Sequence, residues 1–108
     1  MFQGVSQKPF NAIPHKTTTV SLGAAVVEVA IQDAGEDSSI FINNNSGATD
    51  VLVEFWDDPL DSNSMRVPAY SSMIISVPKR ASPASFVRVK RPATSATYAL
   101  FITQGFGF

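Results

Sequence analysis

The chain of 108 residues has no cysteine, a single histidine and little charge, 16% where soluble domains usually carry ~25%. The missing cysteines exclude a disulfide scaffold, a thiol nucleophile and any Cys-ligated zinc or iron–sulfur centre, and they fit a chain made in a reducing compartment. The one imidazole, His15, sits between Pro14 and Lys16, where nothing holds it beside a serine and a carboxylate as triad chemistry requires. No G-x-S-x-G, phosphate-cradling glycine loop, dinucleotide fingerprint or zinc spacing occurs. Paired carboxylates for glycoside hydrolysis need a cleft, for which a chain this short has little room. The reading is a protein that is not an enzyme and has no cofactor. A net charge of −1 excludes a nucleic-acid reader that works by bulk electrostatics. No apolar run approaches the ~20 residues that cross a bilayer, and no basic segment followed by an apolar one opens the chain. A soluble intracellular product, or one released by lysis, is expected, with no membrane partner.

What is present is β-grammar. Thr17–Leu22 alternates and is β-branched. In Ala25–Ile31 the residues Val27, Val29 and Ile31 share one face; alanine and glutamate also allow a helix, but the β-branched content favours a strand. Ser39–Asn43 closes on Asn44-Asn45-Ser46-Gly47, turn chemistry that predicts an antiparallel pairing with Val51–Trp56. Met65–Val67, Met73–Val77, Phe86–Lys90 (Val87 and Val89 inward, Arg88 and Lys90 outward) and Thr97–Thr103 complete the set. Short strands with turns between them, and no long capped period of 3.6, predict one antiparallel sandwich or small barrel.

The ends differ from the middle. Residues 1–16 carry Phe2, Val5, Phe10 and Ile13 without a period, interrupted by Pro9 and Pro14, and read either as an extended arm docked on something or as a disordered terminus. The other end, with Phe106 and Phe108 around glycines, reads as an apolar tail. Apolar side chains on chain ends favour aggregation unless covered, and covering the two phenylalanines is worth roughly 2–5 kcal/mol before ordering costs. Trp56 alternates to the face opposite Val53 and Phe55.

Charge is segregated along the chain. All nine acids lie from Glu28 to Asp61, and six of the eight bases from Arg66 to Arg91. Either the two segments pair across strands within one sandwich, or they make faces of opposite sign that dock copies or steer a partner. Asp57, Asp58 and Asp61 with Asn63 crowd one loop that can offer oxygen ligands to Ca²⁺, but the EF-hand spacing fails. Lys79, Arg80, Arg88, Lys90 and Arg91 beside Phe86 form a local basic set, without the aromatic pattern of a nucleic-acid-binding barrel; no nucleic-acid partner is expected.

The runs Ile40-Phe41-Ile42-Asn43-Asn44-Asn45-Ser46, Val51-Leu52-Val53-Glu54-Phe55 and Val67-Pro68-Ala69-Tyr70-Ser71-Ser72-Met73-Ile74-Ile75-Ser76-Val77, with Ala96–Thr103 closing, resemble small β-sandwich virion proteins of tailed bacteriophages over residues 39–103. The resemblance implies a multicopy structural role on a capsid or tail, without catalysis.

Together these features predict an all-β chain: a single antiparallel β-sandwich, jelly-roll-like, over residues 17–108, preceded by an extended N-terminal arm over 1–16. The expected function is that of a capsid decoration or cement protein located in the virion. It would be a homo-oligomer or multicopy component bound to the major capsid protein or other virion subunits. The expected contact residues are Phe2, Val5, Phe10, Ile13, Trp56, Arg88, Lys90, Phe106 and Phe108. The alternatives are a head-fibre base, tail adaptor or baseplate component, and, from another class, a carbohydrate-binding sandwich using Trp56, Tyr70 and the Asp57–Asp61 loop.

Overall fold

A computed structural model describes residues 10–31, 38–55, 58–60, 63–77 and 85–107. Eight strands follow in order: β1 (Asn11–Leu22), β2 (Val27–Ile31), β3 (Ser38–Asn43), β4 (Val51–Glu54), β5 (Met65–Val67), β6 (Ser72–Ser76), β7 (Ser85–Lys90) and β8 (Tyr98–Phe106). They form two four-stranded sheets, β1-β8-β3-β6 and β2-β7-β4-β5, and every pairing is antiparallel. The pairs β1–β8, β2–β7, β3–β6 and β4–β5 nest like the two arms of one long hairpin whose tip is the β4–β5 connection. Rolled up so that alternate nested pairs fall in opposite sheets, that hairpin is a jelly roll. Among the described residues no helix is long and apolar enough to cross a membrane.

The expected all-β sandwich is thus present, and the core follows the period of two. Val20, Leu22, Ile40, Ile42, Ile75, Leu100 and Ile102 of the first sheet face Val29, Ile31, Val51, Val53, Val67, Val87 and Val89 of the second. Leu52 breaks the alternation: it points away from this core yet is fully buried. Its strand neighbours are Arg66 and Lys90, whose long aliphatic stems can cover apolar surface while their charges stay in water.

Three expectations need correction. The turn after Asn43 does not join a hairpin: β3 and β4 lie in different sheets. Its asparagine goes inward instead, where the Asn44 side-chain amide donates to the carbonyl oxygens of Thr49 and Pro68, both at 3.0 Å, and holds the chain as it crosses between sheets. The boundary between arm and sandwich at residue 16 moves as well, because β1 begins at Asn11. Thr17–Leu22 pairs continuously with β8, whereas Asn11 and Ala12 rejoin it after a register shift. The residues between, with Pro14 lacking an N–H and His15 at φ 64°, form the bulge. Finally, Phe106 is not on a loose tail. Gln104, Gly105 and Phe106 continue β8, paired with β3 on one side, where Gly105 and Phe106 also meet β1 on the other. Residues 1–9 and Phe108 lie outside the described residues.

Candidate assembly surface

The two sheets present unlike outer faces. In the first, β3, β6 and β8 carry no charged residue, and β1 carries only Lys16, within its bulge. Alternation places Thr17, Thr19, Ser21, Asn43, Ser72, Ser76 and Thr103 outward, around Phe41, Ile74 and Phe101. Phe41 and Ile74 are directly opposed, and the Phe10 ring stands 6.1 Å from that of Phe41. An apolar row therefore crosses a sheet face whose other outward residues are mostly hydroxyls; Thr17 and Thr103 close it at one end with a 2.8 Å hydrogen bond between their hydroxyls.

The second sheet holds the strand charges Glu28, Glu54, Arg66, Arg88 and Lys90. Glu28 and Glu54 are both cross-strand partners of Arg88, and the Arg88 guanidinium donates to Glu28 from 2.9 and 3.0 Å and approaches Asp58 at 3.9 Å. Arg66 pairs with Asp50 at 3.2 Å. Of the two readings of the segregated charge, cross-strand pairing within the fold is the one these contacts realise.

Arg91, the last member of the basic set, is not on the surface. It is fully buried, and its Nε donates to Leu22 O at 2.9 Å and its Nη1 to Thr49 O at 2.8 Å. The guanidinium lies 5.1 Å from the centre of the Tyr98 ring. Burial lowers its pKa, against an opposing effect of Tyr98. None of its hydrogen-bond acceptors is a carboxylate. Its backbone N–H also bonds Gly23 O at 2.8 Å, so one side chain ties the end of β1 and the β3–β4 crossover to the β7–β8 turn. Gly47 is pressed against this site: a Cβ there would meet Nη1 and Nη2 of Arg91 at 2.6 and 2.7 Å, as well as Oδ1 of Asn44. The signal was in the alternation, since the parity that sends Val87 and Val89 inward sends Arg91 inward too.

The expected contact residues are dispersed. Phe10 packs on its own chain beside Phe41, Ile13 is half-buried in the β1 bulge, Arg88 is ion-paired and Lys90 flanks Leu52. Phe106 is exposed at the end of β8. Phe2, Val5, Trp56 and Phe108 lie outside the described residues, as do Asp57 and Asp61. Among the described residues no group of three acids or histidines converges on a metal position. Tyr70 and the 58–60 loop leave opposite ends of the three-residue β5. Sequence reasoning missed how Tyr70 is presented: it is 67% exposed at φ 57°, its N–H bonded to Gly47 O at 3.0 Å and the preceding Ala69 N–H to Asp50 Oδ1 at 3.1 Å.

No protein-family model matches the chain, and no curated protein or solved structure matches it.

Proposed function

We propose that the protein is a structural subunit of a virion, a capsid decoration or cement protein that adds in many copies to an assembled shell of the major capsid protein. The observation that carries this reading is the division of the sandwich into a charge-satisfied face and an uncharged face crossed by the row Phe10, Phe41 and Ile74. Phe10, Phe41 and Ile74 are each only half-buried in the single chain, and a protein that coats a shell covers the rest of the row once per copy. Contacts too weak to hold singly then add up by avidity over a symmetric lattice. Jelly rolls build repeating protein shells but also lectins, so the architecture supports the reading by analogy only. The resemblance over residues 39–103 points the same way, and residues 1–9, which lead into Phe10 beside this face, supply Phe2 and Val5 as further apolar contacts.

The test is sedimentation of a lysate from cells that make the assembly. The chain is expected to travel with a large symmetric particle, and removal of residues 1–9 is expected to release it while leaving its thermal melt unchanged. A full-length chain found only as a small species overturns the reading. Imaging of the particle separates a decoration protein, repeated over the shell, from a head-fibre base, tail adaptor or baseplate component confined to fewer positions.

A further inference from the structure

The sandwich has four sheet edges, and three are guarded against pairing with another chain. β1 is broken by the bulge that contains Pro14, His15 and Lys16; β2 carries Glu28; β5 is three residues long and carries Arg66. Short strands, bulges, prolines and charges are the devices that keep sheet edges from associating. β6, Ser72–Ser76, has none of them.

Among the described residues no strand pairs with the outer side of β6, and that side can be assigned residue by residue. The bonds from Val77 N–H to Ser38 O and from Asn44 N–H to Ser71 O, both 2.9 Å, bracket the β3–β6 ladder. Alternation along an antiparallel pair then gives the backbone groups of Met73 and Ile75 to β3 and turns those of Ser72, Ile74 and Ser76 outward. The strand Ser72-Met73-Ile74-Ile75-Ser76 reads almost the same in both directions. Around a two-fold axis at Ile74, Ser72 faces Ser76 of a second copy, Met73 faces Ile75 and Ile74 faces Ile74. The residues whose N–H and C=O groups are open are then the ones that meet, so each can exchange both bonds with its counterpart. A slip of one residue sets open groups against groups already bonded to β3. A slip of two sets Ile74 against serine and shortens the ladder.

From this self-complementarity we infer that β6 is a homodimer edge, pairing antiparallel with β6 of a second copy to make one continuous eight-stranded sheet. The pairing places no charged residue of β6 in the interface, whereas an edge made by β2 or β5 would carry Glu28 or Arg66 into it. It also joins the two apolar rows across the axis, so that Phe41 and Ile74 of one copy continue into Ile74 and Phe41 of the other. Such an interface is isologous and closes on itself. The inference is independent of the virion reading, since it concerns the isolated chain.

Sedimentation of the full chain at rising concentration is expected to show conversion from one chain mass to two. Ile74→Lys, whose side chain stands on the outer face, is expected to weaken dimerisation at least tenfold without changing the circular dichroism. Because the protein has no cysteine, Ile74→Cys offers a second arm: mild oxidation is expected to link two chains, while Thr19→Cys on the far edge of the same sheet yields no link. The amides of Ser72, Ile74 and Ser76 are expected to exchange more slowly as concentration rises. A chain still monomeric at about 1 mM, the weak end of specific association, overturns the inference. So does dimerisation undiminished in Ile74→Lys, or cross-linking as efficient at position 19 as at 74.

Discussion

Asn44 and Arg91 donate to one and the same atom, the carbonyl oxygen of Thr49, from 3.0 and 2.8 Å. The two side chains come from opposite sheets, so this oxygen is where the β3–β4 crossover is fastened to the end of β7. Arg91→Ala removes the guanidinium from buried carbonyls and leaves a void, each a recognised source of large losses. The expected cost is about 3 kcal/mol or more, seen as a fall in Tm of at least ~12 °C for a domain of this size. Arg91→Met, which keeps the length and removes the buried charge, is expected to restore part of the loss. A Tm for Arg91→Ala equal to that of the wild type would show that the fastening contributes nothing.

Gly105 lies inside β8, opposite Ala12 of β1 and Ser39 of β3. A Cβ at this position would come within 2.7 Å of Cε1 and Cζ of Phe10 and would press on the backbone oxygen of Asn11. Gly105→Ala is therefore expected to destabilise by about 1–3 kcal/mol through overpacking and to separate Phe10 from Phe41. Ring-to-ring nuclear Overhauser effects between those two phenylalanines check the second point: their survival in the alanine variant contradicts it.

The pair Glu28–Arg88 is short, but the Glu28 side chain is nearly half exposed. Exposed pairs contribute little and are screened by salt. Glu28→Gln is expected to cost less than ~1 kcal/mol, with the difference vanishing between low salt and about 1 M, where the screening length falls to ~3 Å. Urea melts at the two ionic strengths measure this. A loss that persists in high salt would mean that Glu28 acts by something other than charge.

Tyr70 holds a left-handed backbone conformation that a bulky residue seldom adopts. Tyr70→Gly is expected to relieve roughly 1 kcal/mol of strain and to raise Tm. If the exposed ring contacts a neighbouring molecule, the same variant loses that association while gaining stability, the trade expected where a strained residue serves binding. A destabilised Tyr70→Gly would show that the ring supports the turn instead.

Much of the architecture was legible locally. The alternation in Phe86–Lys90 placed Val87 and Val89 inward and Arg88 outward, as found, because side chains in a strand change face at every residue. The same rule carried one step further reaches Arg91, but a charge at a strand end beside Pro92 resembles a solvated terminus until the carbonyls of Leu22 and Thr49 are seen around it. The candidate surface was less legible. Phe10 and Phe106 stood out as apolar ends, yet the row through Phe41 and Ile74 exists only once β3 and β6 are neighbours.

Period and punctuation in the amino-acid order were enough to determine that this protein is built of short antiparallel strands and, in Phe86–Lys90, which residues face inward, since both depend on neighbours a few positions apart. Tertiary structure alone decided that β3 leaves its sequence neighbour β4 for β6 and β8, that the acidic and basic segments meet at Arg88, and that one sheet carries no charge outside the β1 bulge. Those outcomes depend on which distant segments close on each other. That choice is made by burying both inner faces together against the entropy of long loops, a balance no local stretch of sequence contains.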